Sequence, residues 1–234
     1  MKRFWRAVTV GESEGGWRVL LDGRAIRTPR GAAQVVPGAA LAEAMAAEWR
    51  EQGEEVDPAR FKMRDLADYA IDVVAADRAA LARDLLAYAE TDTLCYRADP
   101  DEPLYRRQQE QWEPLLTAFE AREGLRLERV SGVLHRPQPE AALARLRTRL
   151  EALDPFVLAG VNTMAALSAS LCTALTALEP DASIDRLWQA ASLEELWQAE
   201  LWGTDAEAEA RRERRAADFA AAARFARLAG GARP

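Results

Sequence analysis

At 234 residues, 49% apolar and 29% charged, the chain is long enough for one large domain or two modest ones, and its composition excludes a disordered polymer. A formal charge of −7 argues against nucleic acid as the main partner, because neutralising phosphates needs a basic face. Met1-Lys2-Arg3-Phe4-Trp5-Arg6 lacks the apolar run of a signal peptide.

The N-terminal quarter reads as β structure. Phe4 to Val10 alternates as a strand should, Gly11 to Gly16 turns, and Trp17 to Leu21 returns. Asp22-Gly23 is a strong hairpin signal, since a type I′ turn needs positive φ at both central residues. Arg24 to Thr28 makes a third strand and Ala33 to Val36 a fourth, across a Pro29-Arg30-Gly31 turn. So few apolar residues cannot hold a sheet alone, so it must lean on the next element, a helix from Leu41 to Arg50. The acidic connector Gln52 to Pro58 divides the chain into a β-rich domain, 1–57, and a helical domain, 58–234. The fold class is α+β.

Beyond the connector the apolar period is mostly helical. Met63, Leu66, Ala70, Ile71 and Val74 form one stripe, and a second helix reaches Thr91-Asp92. Leu104 to Glu123 is a helix that Pro114 should kink or split and Gly124 ends. Leu125 to Leu134 suits a short extended excursion, and Pro137 to Leu153 an Arg-rich amphipathic helix.

From Pro155 to Leu178 no residue is charged. As one helix this stretch would span about 36 Å, with Asp154 as N-cap and Pro155 in the first turn. Asn162, Thr163, Ser168, Ser170, Thr173 and Thr176 dilute its hydrophobicity, so it reads as the central buried helix of a soluble domain, with no membrane insertion. After Pro180, Ile184, Leu187, Trp188 and Ala191 share a helical face. Ser192-Leu193-Glu194-Glu195 has capping-box spacing, Gly203 stops that helix, and Thr204 or Asp205 caps the last one, which runs to about Leu228.

The sequence offers few groupings of residues suited to chemistry. Cys95 and Cys172 stand in different segments, so they make no CxxC pair or metal cluster; as free buried thiols they fit a reducing cytoplasm. His135, the one histidine, suits a surface or capping role. The sequence contains no G-x-S-x-G elbow, P-loop or G-x-G-x-x-G cradle, so no cofactor is expected. Glu54-Glu55, Glu90 with Asp92, and Asp205, Glu207 and Glu209 are local acidic groups, and solvated helix faces explain them better than a glycosidase-like pair. Glu207 and Arg211 have the spacing of an i,i+4 ion pair. The seven tryptophans are more suggestive, because Trp is a favoured interface anchor when not core.

Several segments together resemble the assembly chaperones of F-type ATP synthase that act on the alpha subunit. They are Glu48-Trp49-Arg50-Glu51-Gln52 with Val56-Asp57-Pro58, Met63 and Leu66 leading to Ala70-Ile71-Asp72, and Thr91-Asp92-Thr93-Leu94-Cys95-Tyr96-Arg97-Ala98. Trp112-Glu113-Pro114-Leu115-Leu116 and Trp197-Gln198-Ala199-Glu200-Leu201-Trp202-Gly203 follow, with Asp205 and Glu207 beyond. One departure is Arg64, where the family's pattern has proline after the methionine. The resemblance implies a non-catalytic, cofactor-free monomer with a β-rich N-terminal and a helical C-terminal domain. It would hold free alpha subunit until beta replaces it. Its setting would be the bacterial cytoplasm, or the mitochondrial matrix for a processed eukaryotic protein. The functionally sensitive positions carried over are Trp49 and an acidic residue matched to Glu207, less closely to Glu200 or Asp205. Trp202 and Asp72 lie within the matching motifs. The competing readings are a helical adaptor for another client and a carboxylate-dependent hydrolase.

Overall fold

Two turns set the N-terminal sheet. In the computed structural model, which describes residues 2–132 and 135–231, β1 (Val8–Ser13) and β2 (Gly16–Leu21) pair antiparallel from Val8↔Leu21 to Ser13↔Gly16. The strand thus sits later than the alternation suggests. Gly11 pairs with Arg18 inside the ladder, and the turn shrinks to Glu14-Gly15, with Gly15 at φ +82°. A glycine weakens a strand by only about 1 kcal/mol, too little to stop a ladder whose partner strand is in place. Asp22 and Gly23 adopt φ of +48° and +79°, the two positive values a type I′ turn requires. The Asp22 carboxylate accepts from Ala7 N–H at 2.8 Å and Arg6 N–H at 3.1 Å, and these bonds hold its carboxyl below the usual range.

The expected third and fourth strands are cut short. β3 is Arg24–Ala25, and pairing then continues only as the bridges Arg27↔Ala33 and Trp17↔Val36. The reason lies elsewhere in the chain: Thr28 Oγ1 and Arg30 N–H donate to the Asp72 carboxylate, at 2.7 and 3.2 Å. As expected, the sheet leans on α1 (Ala39–Arg50), which packs against β1 and β2 and buries Leu41, Ala42, Met45, Ala46 and Trp49.

Contacts divide the chain into two compact units: Met1–Arg78 with Asp154–Gly160 and Arg224–Pro234, and Ala79–Leu153 with Val161–Ala223. In the first, α2 (Lys62–Tyr69) passes into a π-helical turn at Ala70–Val74. The Glu48 carboxylate, reaching over from α1, accepts from Met63 N–H at 2.6 Å and Arg64 N–H at 3.0 Å, satisfying donors that open α2. A proline at position 64 could not donate the second bond. Gln52, also buried, accepts from Asp57 N–H at 2.7 Å.

In the second unit, α3 (Arg78–Leu85) and α4 (Ala87–Glu90) lead to β4 (Tyr96–Arg97), which pairs in parallel with β5 (Val130–Ser131). The expected extended excursion is thus this short strand; Val133 and Leu134 lie outside the described residues. α5 (Pro103–Glu123) runs unbroken through Pro114, because Pro114 and Glu110 are exposed and water can satisfy the carbonyl the proline leaves free. Gly124, at φ +64°, ends it. α6 is Glu140–Glu151, and His135 Nδ1 lies 2.9 Å from the Tyr96 hydroxyl at the surface.

The uncharged stretch is not one helix. α7 (Pro155–Ser168) stops at Ala169, at φ +49°, and α8 (Leu171–Thr176) starts afresh with Ser170 as its N-cap. The cause is Asp92, which is fully buried. Its carboxylate accepts from Ser170 Oγ at 2.7 Å, Cys172 N–H at 2.9 Å and Leu94 N–H at 3.0 Å. Asp154 does cap α7, accepting from Phe156 N–H at 2.8 Å. No helix of the described residues is long and apolar enough to cross a membrane. Cys95 and Cys172 are free and buried, and burial pushes both thiols up.

A cluster of acids and arginines braces α5 against the β5 segment. Glu113 accepts from Arg97 at 2.7 Å and Arg129 at 2.8 Å; Glu120 accepts from Arg129, from Arg126 at 2.9 Å and from Leu127 N–H at 2.8 Å. Burial pushes the Glu120 carboxyl up, but Arg129, Leu127 N–H and Arg126 outweigh it and hold it below the usual range. A carboxyl depressed by folding stabilises above its unfolded pKa, and that contribution is lost as pH falls through the folded value. Glu120→Gln is therefore expected to cost about 2 kcal/mol at pH 7, with the gap to wild type narrowing below about pH 4. Urea melts from pH 7 to 3 measure this, and a constant gap contradicts it.

Candidate functional site

The C-terminal helices make an exposed corner. α9 (Ile184–Ala191) buries Leu187, Trp188 and Ala190, with the Trp188 ring packed at a tilt 5.5 Å from Phe219. α10 (Leu193–Trp202) follows, but the capping box does not form: Ser192 is buried and its side chain makes no cap bond. Leu193 is the one residue of α10 that is buried. Gly203, at φ +90°, turns the chain, and α11 (Ala206–Ala229) begins under an Asp205 cap. The Asp205 carboxylate accepts from Glu207 N–H at 3.3 Å and Ala208 N–H at 3.4 Å, so Asp205 rather than Thr204 is the cap.

Trp202 is 82% exposed and Leu201 56% exposed, consecutive residues at the end of α10. A cleft of about 250 Å³ opens beside them, lined by Gln198, Trp202, Asp205, Glu209 and Arg212 among others. Glu200 is bound by Arg107 at 2.6 Å, and the same guanidinium lies 5.0 Å from the Trp197 ring. Glu207 is exposed in the first turn of α11, where the ion pair is Glu209–Arg212 at 3.8 Å rather than Glu207–Arg211. An acid there also suits the positive end of the helix dipole.

Of the residues singled out from sequence, Trp202, Glu200, Asp205 and Glu207 belong to this corner, with Trp202 and Asp205 lining one cleft. Trp49 and Asp72 belong to the first unit and serve its fold. Trp49 is 6% exposed, packed 4.9 Å from Trp5 and 4.5 Å from Phe61. Asp72 ties down the Thr28–Arg30 loop, and its own carbonyl accepts from Arg30 Nη1 at 2.8 Å. Leu201, which lies within the matching motif, is at the surface. Among the described residues no group of three His, Cys, Asp or Glu is placed to hold a metal ion. Asp92 serves the α8 cap rather than pairing with Glu90, which is exposed.

The corner thus offers an exposed indole beside a shallow cleft, the kind of side chain that anchors protein contacts. The ATP12 chaperone protein family model matches residues 2–120, just over half of the chain, and the chain belongs to that family. The mitochondrial protein atp12 of Schizosaccharomyces pombe is 28% identical over 170 residues, 68% of this chain and 58% of that protein, so the match spans under two thirds of that relative. The crystal structure of Atp12 from Paracoccus denitrificans is similar at a TM-score of 0.92 and 37% identity, covering 97% of this chain and 98% of that one. The Atu1473 protein of Agrobacterium tumefaciens is similar at 0.92 and 39%, covering 96% and 85%. The family match ends before α10, whereas the structural likeness extends over nearly the whole chain.

Proposed function

We propose that this chain is a non-catalytic chaperone of ATP synthase assembly. It binds unassembled alpha subunit and keeps it from aggregating until beta subunit takes its place. Membership of the ATP12 family carries the reading. The physical logic is mass action. A free subunit exposes an apolar face meant for its neighbour, and such patches aggregate. A chaperone that covers the face lowers the concentration of the sticky state. Because it must release, its interface should be moderate in area and polar at the rim. Trp202 with Leu201 supplies the apolar contact in this reading, and Glu207, Asp205 and Glu200 supply the rim. The chain works as a monomer in the bacterial cytoplasm, or in the mitochondrial matrix for a eukaryotic source.

Co-expression of alpha subunit with wild-type chain or Glu207→Lys tests it, with soluble alpha measured by pull-down. Reversing a rim charge should weaken capture about fivefold, equivalent to about 1 kcal/mol. The melting temperature should move little, since the site is exposed and the dipole term is about 1 kcal/mol at most. Equal recovery by a folded variant removes Glu207 from the interface. Failure of the wild-type chain to retain alpha, with another polypeptide captured instead, makes it an adaptor for a different client.

A further inference from the structure

We infer that the α10–α11 corner receives a client segment in which a large apolar side chain is flanked by lysine or arginine, with Trp202 as the contact anchor. This rests on the chaperone reading and adds the chemistry of the segment recognised. Four large apolar side chains are exposed among the described residues, Phe4, Val73, Leu201 and Trp202, and two of them are adjacent here. A tryptophan left 82% exposed beside a cleft offers a rigid face with an indole N–H at its edge, the kind of side chain that dominates protein interfaces.

Charge decides what fits. From Leu193 to Ala210 the sequence carries Glu194, Glu195, Glu200, Asp205, Glu207 and Glu209 and no basic residue. Three of these acids are met by arginines from elsewhere: Glu200 by Arg107 at 2.6 Å, Glu209 by Arg212 at 3.8 Å and Glu195 by Arg215 at 3.9 Å. Glu194 accepts from Gln108 at 2.8 Å, and Asp205 caps α11 without a cation. Glu207 forms no ion pair among the described residues. Directly beyond lie Arg211, Arg212, Glu213, Arg214 and Arg215; with these and Arg107 counted, seven acids face five arginines, so the rim beside Trp202 keeps a modest net negative charge. A second copy of the chain would bring the same acids against these, and an anionic membrane or nucleic acid would be repelled. A basic, apolar polypeptide segment is the occupant the corner complements.

The test uses the full-length chain and two fluorescent peptides of equal length with the same leucine and phenylalanine anchors, one flanked by lysine and arginine, the other by glutamate. Anisotropy is read against wild type and Trp202→Ala, alongside pull-down of alpha subunit by both proteins. The basic peptide should bind wild type at least tenfold more tightly than the acidic one, lose at least tenfold on Trp202→Ala, and weaken as salt rises. Trp202→Ala should melt like wild type, because the side chain it removes is exposed. Equal binding of the two peptides, no binding of the basic peptide to wild type, or unchanged binding to Trp202→Ala each overturns the inference. If wild type ignores alpha while the basic peptide still depends on Trp202, the choice of client fails and the chemistry of the corner stands. If both proteins capture alpha equally, the chaperone reading stands and the corner is not its contact.

Discussion

Asp92→Ala is expected to lower stability by about 4 kcal/mol while leaving the chain able to fold. The carboxylate is fully buried and accepts from three donors, Ser170 Oγ, Cys172 N–H and Leu94 N–H. Removing it strands all three, and each buried unsatisfied donor costs about 1–3 kcal/mol. The loss spreads, because Ser170 Oγ also accepts from Thr173 N–H at 3.0 Å and so starts α8. Burial pushes the Asp92 carboxyl up, and the donors from Cys172, Ser170 and Leu94 act against that. Asp92→Asn keeps one acceptor oxygen but sets an amide NH₂ against a donor, so it should recover about half of the loss. For a chain of this size the alanine variant should melt about 8–16 °C lower. A melting temperature within 2 °C of wild type would show that Asp92 does not hold the break between α7 and α8.

That break also marks where sequence reading stops. Asp22-Gly23, Gly124, Gly203 and the Asp154-Pro155 start are legible because each acts through its own backbone or the next few residues. The interruption at Ala169–Ser170 is not, since apolar spacing continues across it and the carboxylate responsible lies at residue 92. The short β3 has the same kind of origin: Thr28 and Arg30 turn to Asp72 instead of extending a ladder. The capping box at Ser192 fails in the other direction, its spacing correct but its side chain buried and making no cap bond. The corner was half legible. Trp202, Asp205 and Glu207 stand out by motif, but Trp188 and Trp202 are chemically alike in sequence, and only packing leaves one under Phe219 and the other in water. Arg107 could not be paired with Glu200 from sequence at all, because they lie 93 residues apart.

Trp49→Arg is expected to be the more damaging change and to abolish folding of the first unit rather than binding alone. The indole is buried between Trp5 and Phe61, and the Trp49 backbone carbonyl accepts from Trp5 Nε1 at 3.3 Å. Losing the ring costs about 3–5 kcal/mol, and an unpaired buried charge costs about as much again. No partner is at hand for the new guanidinium. Arg64 already lies over the Trp49 ring, 5.8 Å from its centroid, and would face it as a like charge. The neighbouring Glu48 carboxylate is committed to Met63 and Arg64 N–H. The total rivals the whole stability of a typical domain, about 5–15 kcal/mol. Trp49→Phe separates volume from charge. The indole N–H is buried without a hydrogen-bond partner, so phenylalanine removes an unsatisfied donor as it trims the ring, and should cost only about 1 kcal/mol. Circular dichroism and thermal melts of both variants decide the matter. A cooperative wild-type-like melt for Trp49→Arg would mean that the side chain reaches solvent and that Trp49 acts in recognition, not in the core.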